Sequence, residues 1–145
     1  MAMVLLKELV RENGCNLELW DIASAGCHAY PGFPATATAQ FVMHESGLNL
    51  SHHRSQLVTR QLLHAYALVL CMEKDHKSFI QRAYPMAANR IYLLSEMAGH
   101  ENDINDPVGQ PSFEYQKTAD LMQAYMVDGF DKICALSTVE RLLNN

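Results

Sequence analysis

An aspartate locked in front of a proline is the first group in this chain with an evident chemical use. Asp106 stands in Asn105-Asp106-Pro107-Val108-Gly109, after the acidic residues Glu101 and Asp103 and before a long helical segment. Pro107 fixes its own φ and drives Asp106 toward an extended backbone, so its carboxyl group is held at a set angle. A loop carboxyl placed in this way suits a general acid. A general acid needs a nucleophile or a bound phosphate to act on.

The other reactive residue types are scattered. Cys15, Cys27, Cys71 and Cys134 form no Cys-x-x-Cys pair, a usage that fits reduced thiols in a cytoplasm better than a disulfide framework. They read as small buried or half-buried hydrophobes. His44, His52, His53, His64, His76 and His100 show neither a His-Glu-x-x-His run nor Cys/His ligand spacing, so no metal is expected. Glu73 and His76 read as the start of a helix rather than as chemistry.

Positioning these groups falls to one domain: 145 residues at 49% hydrophobic are enough for a real core, and no linker or repeat divides them. A formal net charge of −5 argues against a nucleic-acid or anionic-membrane partner. His52-His53-Arg54 is the one basic cluster. The apolar run Ala65 to Met72 is too short to span a bilayer, and Lys7 and Glu8 interrupt Met1 to Val10, so a secretory signal is not expected.

Ala2, Leu5, Leu6, Leu9 and Val10 share a helical face that Asn13-Gly14 should stop. Leu17 to Ala25 reads as a strand turning at Gly26. Tyr30-Pro31-Gly32-Phe33-Pro34 is loop, and Pro34 suits the first turn of a helix ending near Gly47. After an irregular connection, Thr59 can cap a short helix through Tyr66. Ala67 to Met72 has the continuous apolar character of a strand covered on both faces. A helix over Asp75 to Ala83 precedes a strand at Arg90 to Leu94. A last helix runs from Ser112 to Asn144, broken near Gly129 or Ser137. Helices alternating with short buried strands predict an α/β domain with a mainly parallel sheet.

Four segments carry a resemblance. Ser24-Ala25-Gly26-Cys27-His28-Ala29-Tyr30-Pro31-Gly32-Phe33-Pro34-Ala35 comes first, then Gly47-Leu48-Asn49-Leu50-Ser51-His52-His53-Arg54 with Thr59 and Leu62-Leu63. Leu70-Cys71-Met72-Glu73 with His76 and the loop Asp103 to Gly109 follow. In this order and spacing they resemble the low-molecular-weight protein tyrosine phosphatases, from residue 1 to about 133. The resemblance implies a cytoplasmic, metal-free enzyme that removes phosphate from tyrosine, or in some bacterial branches arginine, on proteins. It implies a thiolate in a Cys-x5-Arg loop as nucleophile, with backbone N–H groups and the arginine cradling phosphate. By the same resemblance Asp106 is the acid, Tyr30 an aromatic wall for substrate and His53 a brace for the nucleophile loop. Val108 stands where an aromatic residue is common, which weakens a preference for phosphotyrosine.

The sequence departs from that pattern at the nucleophile. Met1 to Glu8 matches the helix that follows the family's loop, so the first strand and the loop are expected to be missing. Six residues past the four cysteines stand Asp21, Phe33, Lys77 and Glu140, and none is arginine. Two readings follow. Either this is an N-terminally truncated phosphatase, inactive as written, or it is a naturally silent phosphatase-like binding or assembly protein. The gap between the strands at Leu17–Ala25 and Ala67–Met72 predicts repacking or a homo-oligomer.

Overall fold

The computed structural model describes residues 1–143 and resolves them into two compact units. One comprises residues 1–57 and 106–124. The other comprises 58–105 and the described part of 125–145.

In the first unit α1 (Ala2–Glu12) buries Leu5, Leu9 and Val10, the stripe expected from their spacing. It ends at Asn13, and Gly14 follows at φ +69°, a left-handed step that glycine takes without a Cβ penalty. α2 (Ala37–Glu45) begins later than Pro34 suggested. Thr36 is its cap, accepting the Ala39 N–H at 3.2 Å, because a hydroxyl satisfies an orphan amide and a proline ring cannot. Leu17 to Ala25 is not a strand. It forms a 3-10 turn at Leu17–Leu19 and then runs extended with no ladder, and only Gly26 bridges to Leu57 in parallel sense. Without a neighbour along its length, a strand-prone segment has nothing to pair its amides with. Ser112–Ala124 of α6 (Ser112–Asp128) completes this unit.

The second unit begins with α3 (Arg60–Ala65), which Thr59 caps as expected by accepting the Leu62 N–H at 3.1 Å. β1 (Val69–Cys71) and β2 (Ile91–Leu93) pair in parallel, with Val69 opposite Ile91 and Cys71 opposite Leu93. α4 (Lys74–Ala83) and a 3-10 turn at Pro85–Arg90 make the crossover that parallel strands require. Covering of β1 on both faces does not hold along the run. Cys71 is buried but Val69 and Leu70 are only half-buried, and β1 has a strand on one side alone among the described residues. α5 (Leu94–Met97) follows β2 directly.

The break in the last helix falls at Gly129, between α6 and α7 (Phe130–Leu143); Ser137 lies within α7, and the expected end at Asn144 is outside the described residues. The two-stranded parallel sheet with flanking helices is the α/β class the periodicity predicted.

Candidate active site

Asp106 is exposed, and its Oδ1 accepts the N–H of Val108 at 3.0 Å, closing a turn around Pro107. Pro107 is buried, and its carbonyl accepts the N–H of Gln110 at 2.9 Å; Gly109 supplies the left-handed residue at φ +79°. One carboxylate oxygen is thus tied to the loop and the other is left for a reacting group. Val108 itself is 59% exposed.

Just before it, the chain is anchored by two bonds the sequence did not announce. The N–H of Ile104 donates to the Met72 carbonyl at 2.8 Å, with the Ile104 side chain buried. Asp103 Oδ1 accepts the N–H of Lys74 at 2.8 Å. Glu73 occupies the cap position of α4 without a side-chain capping bond, so Asp103 performs that task from a distant loop. A glutamate in a cap position is the one hint of this in the sequence, since short side chains are the ones that reach back to the first turn.

Tyr30 projects from a loop held by a single serine. Ser55 Oγ donates to the Tyr30 carbonyl at 2.5 Å and accepts the Phe33 N–H at 2.9 Å. Its own N–H and carbonyl take Phe33 O and Gly32 N–H, each at 2.8 Å. The backbone is pinned while the Tyr30 ring stays 81% exposed, so it does not pack away beside the flanking prolines.

His53 is half-buried, its N–H donating to Leu50 O at 3.0 Å. Burial pushes its imidazole below the usual value, and the positive charges of the Met1 amino group and Arg54 push it the same way. His53 therefore lies within electrostatic reach of the start of α1. Arg54 Nη1 is turned onto the carbonyls of Ser51 and His53 at 3.0 and 2.6 Å.

Asp106, Tyr30 and His53 all belong to the first unit, each held by its own local bonds; no hydrogen bond among the described residues joins one to another. Glu73 and His76 lie at the start of α4. Cys71 is buried on β1, Cys15 and Cys134 are half-buried, and burial pushes the Cys27 thiol up, away from the thiolate. No helix among the described residues is long and apolar enough to cross a membrane.

The family model described as low molecular weight phosphotyrosine protein phosphatase matches residues 1–134. A probable low molecular weight protein-tyrosine-phosphatase, EpsP, of Ralstonia nicotianae is 31% identical over 102 residues, 70% of this chain and 69% of its own. A protein-arginine-phosphatase of Geobacillus stearothermophilus is 32% identical over 104 residues, 71% of this chain and 70% of its own. The crystal structure of a low molecular weight protein tyrosine phosphatase from T. tengcongensis superposes with a TM-score of 0.83 at 32% identity, covering 90% of this chain and 88% of that one.

Proposed function

The chain belongs to the low molecular weight phosphotyrosine protein phosphatase family, and from that membership we propose that its residues form the acid-bearing part of a phosphoprotein phosphatase, one domain over residues 1–145. In this reading Asp106 protonates the leaving oxygen while a cysteine thiolate takes the phosphoryl group, then deprotonates the water that hydrolyses the phosphocysteine. Tyr30 forms a wall beside the substrate side chain. His53 braces the loop that holds phosphate.

The observation that carries the reading is a mismatch within these residues. The acid loop is built and presents Asp106 to solvent, yet no cysteine is followed six residues on by arginine. Phosphate-monoester hydrolysis needs acceleration of up to ~10²¹-fold. Losing the nucleophile from a coupled catalytic set costs roughly 10⁶-fold. Losing the anion cradle removes a further electrostatic contribution of the kind that is usually largest. The polypeptide of these 145 residues is therefore inactive by itself, because it contains no Cys-x5-Arg run. Translating the DNA upstream separates two readings: an in-frame Cys-x5-Arg run there supports a phosphatase whose nucleophile lies outside these residues. Its absence favours the second reading, a silent phosphatase-like binding protein, for which the one-sided β1 is the specific observation. That edge also supports self-association. A monodisperse monomer in sedimentation at micromolar concentration contradicts the homo-oligomer.

Substrate class follows the relatives only as far as phosphorylated protein side chains, since both a tyrosine and an arginine phosphatase stand among them. Val108 supplies no ring for stacking on phosphotyrosine, which favours a broader preference. The scattered cysteines, none in a disulfide among the described residues, suit a cytoplasmic location.

A further inference from the structure

We infer that Ser55 is a positioning residue for Tyr30. The inference rests on the reading of Tyr30 as a wall beside the substrate side chain, but its test reads the order of the loop rather than turnover, so the two can fail separately. A wall that orients a reacting group must itself be held, since a misplacement of about 1 Å can cost on the order of a hundredfold in rate. A ring packed into a core is placed by its neighbours. The Tyr30 ring is 81% exposed, so its place is set by the backbone that carries it. That backbone lies outside every helix and strand, next to a turn at Pro31-Gly32.

Ser55 meets this turn through four bonds, two from its backbone and two from its hydroxyl. Gly32 N–H donates to the Ser55 carbonyl and Ser55 N–H to the Phe33 carbonyl, each at 2.8 Å. These two grip only the far side of the turn. Ser55 Oγ donates to the Tyr30 carbonyl at 2.5 Å and accepts the Phe33 N–H at 2.9 Å. Of the four, only the hydroxyl bond reaches Tyr30, and the same oxygen holds both ends of the turn because it donates a proton and still accepts one. Residues 30–33 and 55 lie in one unit. Ser55 follows His53 by two residues, at most about 7 Å along the chain, and His53 is fixed by its N–H on Leu50 O at 3.0 Å. Wall and brace are thus attached to one short stretch of backbone. Ser55→Ala removes the hydroxyl while leaving both backbone bonds, and Ser55→Thr keeps it.

NMR of the full 145-residue chain reads the result at the amides of Tyr30 and Gly32, neither of which is bonded to the hydroxyl. In Ser55→Ala the backbone order parameter of Tyr30 falls from about 0.85 to below about 0.6. Gly32 exchange accelerates about tenfold or more, the two lost bonds being of ordinary net strength. The amide of Met43, buried in α2 of the same unit, holds its rate. In Ser55→Thr both reporters stay near their original values. Tyr30 and Gly32 unchanged in Ser55→Ala overturn the inference, because the backbone pair then suffices. So does a change that comes only together with Met43, since Ser55 then serves the stability of the unit at large. Ser55→Thr behaving like Ser55→Ala overturns it too, because the hydroxyl is then not what holds Tyr30. Should Ser55→Ala not fold, Ser55→Cys, with its weak S–H donor, carries the same outcomes.

Discussion

The Lys77 ammonium and the Glu96 carboxylate meet at 2.6 Å, and the same carboxylate oxygen accepts the backbone N–H of Leu93 at 2.5 Å. Glu96 therefore ties α4 to the end of β2, while its own carbonyl accepts Lys132 Nζ at 2.8 Å from α7. Burial alone pushes its carboxyl up. The Lys77 hydrogen bond, the Leu93 amide and the charges of Lys77 and Lys132 outweigh burial and hold it below the ordinary value. A lowered carboxyl contributes stability that is whole above its unfolded value, about 4.3, and fades as pH falls through the folded value below that. Urea unfolding of the original chain and Glu96→Gln should differ by about 1 kcal/mol at neutral pH, reduced from a buried ion pair because both side chains touch water. The difference should shrink in acid below pH ~4. A gap that stays constant into acid contradicts the assignment.

Gly129 gives a prediction of opposite sign to helix propensity. A Cβ there would lie 2.5 Å from Met97 Cβ and 2.6 and 2.8 Å from the Met97 carbonyl carbon and oxygen. Backbone atoms at that distance cannot rotate away. In an open helix Gly→Ala gains up to ~1 kcal/mol. Here Gly129→Ala should lose about 2–3 kcal/mol, the cost of overpacking a fixed contact. Thermal unfolding checks it, and a stabilised variant refutes the close α5–α7 approach.

His53 should titrate below the ordinary histidine value of about 6.5, because burial comes first among its perturbations and two cationic neighbours add to it. The imidazole is then neutral at pH 7. Its contribution to stability is whole above the unfolded value and declines as pH falls below it, since the unfolded chain binds that proton more readily. Acetylating the Met1 amino group removes one of the two charges, so the His53 midpoint followed by NMR should rise. A midpoint indifferent to acetylation places His53 away from the start of α1.

Much of the scaffold was legible because its cues are local. Thr59 sits one residue before a helical run and caps it; Gly14 ends α1; Gly129 breaks the last helix. The β1–β2 pair was legible from two apolar runs separated by a helix. Leu17 to Ala25 was misread because strand-like composition gives a strand only where a partner supplies the ladder. The acid loop could be read from Asp106-Pro107. The devices that hold the loops could not. Ser55 binds residues 22 to 25 positions away, and Asp103 binds an amide 29 positions away. Long-range bonds from side chain to backbone leave no periodic trace.

The most direct trial of the account is p-nitrophenyl phosphate hydrolysis by the pure 145-residue polypeptide, assayed beside its Asp106→Asn variant. The account predicts that neither protein raises the rate above buffer, because the acid has no thiolate to serve. Turnover that falls when Asp106 is replaced would contradict it, placing a working nucleophile within these residues.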